Sequence, residues 1–336
     1  MALRTPRRTI LKAGGGLASI LALGKAPAFA QAQPKKIVIA HITPPPESGA
    51  IALAWLAKEV TERTKGALAV EFHGGTLLSK EIDVLNGVKS GSIAIGTPSG
   101  AAATIFPEMG VFLVPYLISS YDQSYKILNG KVGDALDEVF QKKYGVKVLY
   151  FFDYGFRHFW NSKRPINEPR DLRGLKIRTQ PSKVFTDTVN GLGAVAIPLG
   201  WAEVMTAAQQ GVIDGADLPV VNMVPLKAYE VSKYYSMTGH NYGSTVVVMN
   251  LGIWNSLTPE QQKLMQEVSR AAQNMVRKNT EDTDTVEVAK RELESRGMIV
   301  NVPDRAPFLK IVQEKVWPAY QKNFGEIWDQ IAATKV

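Results

Sequence analysis

Residues 174–210, GLKIRTQPSKVFTDTVNGLGAVAIPLGWAEVMTAAQQ, carry the pattern that decides the fold. Gly174 to Thr179 is a short run with strand character, and Lys183 to Leu192 has helical spacing. Ala194 to Ile197 is strand-like again, and Trp201 to Gln210 returns to helix. Strand, helix, strand, helix predicts a parallel α/β sheet, because parallel neighbours need a crossover and a helix is the usual one. The same alternation stands nearer the N-terminus. Lys36 to Ala40, Ala67 to Phe72 and Ile93 to Gly96 read as strands, with Ala50 to Thr64 and Asp83 to Ser90 as helices between them. Two such blocks predict two α/β lobes.

Between the blocks lies Val146 to Trp160, apolar and aromatic with a single Gly155, which suits a strand crossing from lobe to lobe. The chain crosses back near Thr238 to Asn250, and two crossings make a hinge. Thr258-Pro259-Glu260-Gln261 then matches a capping box with Pro at the first helical position. Neither Pro nor Gly recurs before Gly297, so Glu260 to Arg296 could form up to ~55 Å of helix, enough to bridge both lobes. The expected division is residues 31–154 with 243–280 in lobe I, and 155–242 with 281–336 in lobe II.

The first thirty residues read as an export signal. Arg4, Arg7, Arg8 and Lys12 make a basic start, Ala13 to Leu23 an apolar run, and Ala28-Phe29-Ala30 a small-x-small cleavage site. Arg7-Arg8-Thr9-Ile10-Leu11-Lys12 resembles the twin-arginine signature, with Pro6 where Ser or Thr is usual. The run of about 11 residues falls short of the ~20 that span a bilayer, so the chain is expected not to be membrane-embedded. Without this segment the net charge drops from +8 to +3, and Lys and Arg are interleaved with Asp and Glu throughout. A nucleic-acid partner is therefore excluded. With no cysteine, there is neither a disulfide nor a thiolate nucleophile, and stability must come from burial.

Arg178 is the first candidate for binding chemistry. Period 2 separates Ile177 from Lys176 and Arg178, and Arg178 closes a parallel strand, where open α/β sheets bind ligands. Its planar fork suits a carboxylate; the plain alternative is a surface arginine. Arg157 lies in the aromatic crossing strand, where a charge needs a partner such as Asp153 or another acid. His158 beside it faces the other way and reads as a hydrogen-bonded structural histidine. Trp201 opens a helix after Pro198-Leu199-Gly200 and either covers a bound molecule or packs in the core. Asp214 and Asp217 are paired carboxylates or turn formers. Walker, G-x-S-x-G, H-E-x-x-H and EF-hand motifs are missing, and the four histidines have no metal-ligand spacing, so no catalytic residue, metal or cofactor is expected.

Taken together, several pieces resemble the solute-binding proteins of tripartite ATP-independent periplasmic (TRAP) transporters, of the dicarboxylate-binding (DctP) type. They are Gly155-Phe156-Arg157, Asn161 to Ile166, Asp171 to Arg178 and Gln209 to Gly215, and the likeness extends through Glu59 to Gly66, Val88 to Ser92 and His240 to Leu257. The resemblance implies an α/β fold of the two-lobed periplasmic-binding-protein class, type II-like, with hinge strands and a long helix across both lobes. It implies docking on TRAP membrane subunits in the periplasm, and a monomer is the simplest state for such a shuttle. By the same resemblance Arg178 forks onto the ligand carboxylate, Arg157 stands beside it, and Trp201 lines the pocket. Asp217, His240 and Asn241 complete the candidate set with two departures from the family. Leu218 stands where many members have a ligand-contacting Asn, and Ser99 where acid-sugar binders tend to carry a charge. The pocket is therefore expected to be more apolar, favouring a short or aromatic monocarboxylate, such as a hydroxy or keto acid, over a polyhydroxylated sugar acid.

Two other classes compete. A periplasmic sensor would present the same carboxylate to a membrane receptor. An exported enzyme would recruit Asp217, His240 and Arg157 as acid and base, but no nucleophile or cofactor motif supports it.

Overall fold

The aromatic run after Gly145 forms one long strand of 16 residues, and a second strand of 17 residues lies against it. The structure, a computed structural model, describes residues 33–78, 80–98 and 102–334. The export signal expected at residues 1–30 and the candidate Ser99 fall outside the described residues. Among the described residues nine strands form one mixed sheet: β1 (Lys35–His41), β2 (Leu68–Gly74), β3 (Ile95–Gly96), β4 (Val146–Asn161), β5 (Lys176–Thr179), β6 (Val195–Pro198), β7 (Gly215–Leu218), β8 (Tyr234–Asn250) and β9 (Ile299–Asn301). Their order is β2-β1-β3-β8-β4-β7-β5-β6, with β9 beside β8.

Inside each block the expected parallel pairing holds: β1 with β2 and β3, β5 with β6 and β7. Across the middle it does not. β8 is antiparallel to β3 and β4, and β4 is antiparallel to β7, because the two long strands traverse the sheet in opposite directions. β7 also corrects the reading of Asp217 as a turn residue: it is a strand residue with both faces covered.

Gly155 interrupts the β4–β8 ladder. Asp153 pairs with Ser244 and Phe156 with Tyr242, so two residues of β4 oppose one of β8. Such a bulge bends the strand. Gly155 has φ +94°, a conformation that side chains disfavour.

Helix α1 (Ser48–Arg63) is capped by Glu47, whose carboxylate accepts from the Gly49 and Ala50 N–H groups at 2.9 and 2.8 Å. Its Leu53, Leu56 and Val60 pack with Ile37 and Ile39 of β1 and with Val268, Ala272 and Val276 of the long helix. That helix, Pro259–Thr283, starts with the predicted capping box. Its 25 residues span ~37 Å, and the stretch that could have run on to Arg296, with room left for a kink, is broken after Thr283. Asp284 ends it, because its side chain instead accepts from the Phe156 N–H at 2.8 Å and from the Tyr121 hydroxyl. Thr285 caps the next segment, Val286–Ala289. Ala289 and Leu293 then join the core around Trp160, Tyr235 and Met223, so the interrupted helical stretch serves both blocks.

Helix α2 (Glu81–Ser90) follows β2 and buries Val84, Leu85 and Val88. The segment around residues 106–118 packs toward the β5 block: Trp317 donates to the Pro115 carbonyl and Tyr116 N–H to that of His240. No helix among the described residues is long and apolar enough to cross a membrane.

Candidate functional site

Chain leaving β1 and chain leaving β5 meet at a small cavity, of about 20 Å3, room for little more than one water. Ile42, Thr43 and Glu47 come from the first block, Gln180 and Trp201 from the second, and Glu81 from the start of α2. Arg157 and Leu218 close it from the central strands. A larger cavity of about 730 Å3 lies between the Pro259–Thr283 helix and β4, but its Lys263 and Arg270 are exposed and its Lys147 is paired with Asp137. The chemistry concentrates at the small one.

Arg178 is fully buried and does not itself line the cavity, but its charge acts on Arg157 and Glu81, which do. Its Nε donates to the Leu199 carbonyl at 2.9 Å, which fixes the plane of the guanidinium. Nη1 and Nη2 have no hydrogen-bond partner among the described residues. Burial, and then the neighbouring Arg157 guanidinium, pull its pKa down to about 10, with Glu81, Asp217 and Glu203 opposing. It therefore stays protonated at neutral pH. A buried cation with a free fork is costly unless an anion completes it.

Arg157 is in the opposite condition. It donates from Nε to Asp217 Oδ2 at 2.7 Å and from Nη2 to Oδ1 at 2.9 Å, and its guanidinium lies 4.9 Å from the Phe185 ring centroid. Both partners are buried. Burial alone would raise the Asp217 pKa, but the Arg157 charge and hydrogen bonds outweigh it and hold the carboxyl far below the usual range. The sequence reading offered Asp153 or another acid as the partner of Arg157; the partner is Asp217, not Asp153.

His240 reaches Asp217 Oδ2 at 3.4 Å, meets the Thr238 hydroxyl at 2.8 Å and stacks on Phe159. Burial pulls its pKa down, favouring neutral imidazole. Asn241 donates to the Leu113 carbonyl. Neither lines the cavity; both brace the strands that do. Asp214 accepts from the Lys176 N–H at 2.8 Å, and His158 accepts from the Gly239 N–H, so both are structural. Leu218 and Trp201 line the cavity.

Among the polar lining residues that sequence reasoning missed are the acids Glu47 and Glu81, with His41 behind Glu47. Glu47 accepts from two N–H groups of α1 and lies 3.0 Å from His41 Nε2. Burial pushes Glu47 up, yet these contacts, led by His41, bring it below the ordinary value. Glu81 is buried, and burial pushes its carboxyl up. His41 at the end of β1, the Glu47 cap and the Glu81 helix start were legible only as cap and strand-end positions.

Residues 39–324 match the model of "Bacterial extracellular solute-binding protein, family 7", DctP. The chain is 31% identical over 273 residues to the 2,3-diketo-L-gulonate-binding periplasmic protein YiaO of Escherichia coli, covering 81% of this chain and 83% of that one. A TRAP periplasmic solute-binding protein from Polaromonas sp. JS666 bound to D-erythronate superposes with a TM-score of 0.83 at 27% identity, over 90% of this chain and 99% of the other. One from Citrobacter koseri with bound D-glucuronate gives 0.82, also at 27% identity, over 90% and 100%. The family match over residues 39–324, the relatives and the shared sheet architecture together show that this chain belongs to the DctP family of bacterial extracellular solute-binding proteins, and its fold is that of the TRAP periplasmic binding proteins.

Proposed function

We propose that the chain is the periplasmic, non-catalytic solute-binding subunit of a TRAP transporter, capturing a small organic monocarboxylate and delivering it as a monomer to membrane subunits. The observation that carries this reading is the pair of free Nη atoms on fully buried Arg178. A carboxylate bound bidentately would satisfy both and neutralise the charge. Arg157 lines the pocket while committed to Asp217, and Trp201 and Leu218 give an apolar wall suited to a short or aromatic acid. The family relatives holding D-erythronate and D-glucuronate support the carboxylate class.

The mechanism is a population shift between open and closed lobes. A carboxylate contacting groups from both blocks binds the closed form better and draws the chain toward it. The proposed boundaries are 31–154 with 243–280, and 155–242 with 281–336, with residues 106–118 reaching over to the second lobe. The Gly155 bulge and the helix break at Asp284 lie near two of these crossings and support a hinge there. A thermal-shift screen of refolded residues 31–336 against small carboxylates, amines and neutral sugars tests the function. Carboxylates should stabilise, a ligand at 100 times its Kd adding ~2.7 kcal/mol. Stabilisation by amines or neutral sugars alone would overturn the reading.

A further inference from the structure

Two carboxyls that line no part of the small cavity are buried where the chain crosses between the blocks. Asp153 is 1% exposed, and the side chain of Asp284 is 2% exposed. Among the described residues Oδ1 of each has no hydrogen-bond partner. His158, whose Nδ1 accepts from the Gly239 N–H, brings Nε2 to 3.5 Å from Asp284 Oδ1. Further titratable groups around the pair are Arg277 and Glu281, Tyr121 and Tyr125 of the Tyr121–Leu128 helix, and Tyr235 and Tyr242 of β8. The cation among them, Arg277, is already engaged: its guanidinium lies 3.9 Å from the Tyr125 ring centroid and donates to the Asn129 side chain.

Each acid is tied to a different side of the junction. The Asp153 carbonyl accepts from Thr280 Oγ1 at 3.0 Å, within the first proposed lobe. Asp284 Oδ2 accepts from the Phe156 N–H at 2.8 Å, and both residues belong to the second. Rotating one lobe against the other therefore changes the distance between the two carboxyls and the water around them. The cavity between the blocks has room for little more than one water, so the form described here has the blocks together.

We propose that Asp153 couples proton uptake to lobe closure: it takes a proton as the lobes close around a bound carboxylate and gives it up as they part. This rests on the lobe boundaries and the carboxylate reading given above. Two carboxylates in a dry site repel, and one proton removes both the repulsion and most of the burial cost. Burial, and then the Asp284 charge, push the Asp153 carboxyl up to about 7 in this form, against Tyr242 and Arg277. Parting the lobes readmits water and moves Asp284 away, which returns the group toward the ordinary value of about 4. The form with the higher pKa gains as pH falls. Carboxylate binding therefore weakens as pH rises toward about 7 and levels off above it.

The test is calorimetric titration of residues 31–336 with butyrate, benzoate, D-erythronate and D-glucuronate, the tightest binder being carried through in buffers of different ionisation enthalpy. Wild type should bind it about five- to tenfold more tightly at pH 6 than at pH 8, and take up roughly half a proton or more at pH 6.5. Asp153→Asn should take up almost none, with a flat pH profile and, at pH 8, an affinity near that of wild type at pH 6. Proton uptake is read from the buffer dependence of the heat, which a purely structural role of Asp153 would not move. Wild type binding with less than about 0.1 proton taken up, or uptake unchanged in Asp153→Asn, overturns the inference and leaves the carboxylate site standing. The wild-type measurement decides alone where the variant binds nothing. If none of the four acids binds wild type better than Arg178→Ala, the carboxylate reading fails and the inference falls with it.

Discussion

Burial, and then the nearby Arg157, depress the Arg178 pKa, yet among the described residues it is Arg157 that has a hydrogen-bonded acid: Asp217 takes it at 2.7 and 2.9 Å, while both Nη atoms of Arg178 have no hydrogen-bond partner there. One arginine is part of the scaffold. In the proposed function the other is a charge held in reserve, whose burial cost an arriving anion would offset.

That asymmetry sets function against stability at Arg178. Arg178→Met keeps the volume and removes the unpaired charge, so the ligand-free chain should melt no lower than wild type and up to roughly 2–4 °C higher. Its melting temperature should not respond to carboxylates. Arg178→Lys should recover part of the response, because an ammonium is a point charge without the planar fork. A large loss of ligand-free stability in Arg178→Met would show that Arg178 is structural.

Removing one partner of the buried Arg157–Asp217 pair strands the other. Asp217→Ala should lower the unfolding free energy by about 3–5 kcal/mol in urea titrations. Arg157→Met combined with Asp217→Ala should lose clearly less than the two single changes added together. Strict additivity would mean that the pair contributes nothing beyond its separate packing.

Asp153 carries a pH dependence. Burial, with the Asp284 charge adding to it, pushes its pKa from 3.8 up to about 7, while Tyr242 and Arg277 pull the other way. Between those values the folded chain keeps a proton that the unfolded chain releases, so this group's contribution to stability declines as pH rises through that window. Asp153→Asn should therefore raise the melting temperature by roughly 2–4 °C at pH 8, and by less than half that at pH 5. An equal gain at both pH values would contradict the assignment.

Gly155 should tolerate no side chain. A Cβ there would lie 2.7 Å from Asp284 Oδ2, the atom that accepts from the Phe156 N–H, and its φ is +94°. Gly155→Ala should cost roughly 2–4 kcal/mol by chemical denaturation. A change below about 0.5 kcal/mol would mean that the bulge adapts freely.

How much of this was legible in the sequence follows from the range of each interaction. The strand-helix alternation around Arg178 and the Thr258 capping box are local patterns, and they came out within a residue or two. Asp284 looked like one more polar residue in a helical run, because its partners Phe156 and Tyr121 are 128 and 163 positions away. Glu47 and Glu81 were missed for a related reason. Each sits at a helix start, where an acid needs no further explanation, and only the folded chain puts both at the cavity. Arg157 showed that it needed an acid, but the choice of Asp217 is made by the pairing of β4 with β7.

The most direct test of the account is the binding of one stabilising carboxylate, titrated calorimetrically into residues 31–336 and into the Arg178→Ala variant, with circular dichroism confirming that both are folded. The account predicts micromolar or tighter binding to wild type, and at least a hundredfold loss in the variant, since an unpaired charged group in a dry site forfeits about 3 kcal/mol or more. Affinity within threefold of wild type would contradict it and move the anchor to another residue.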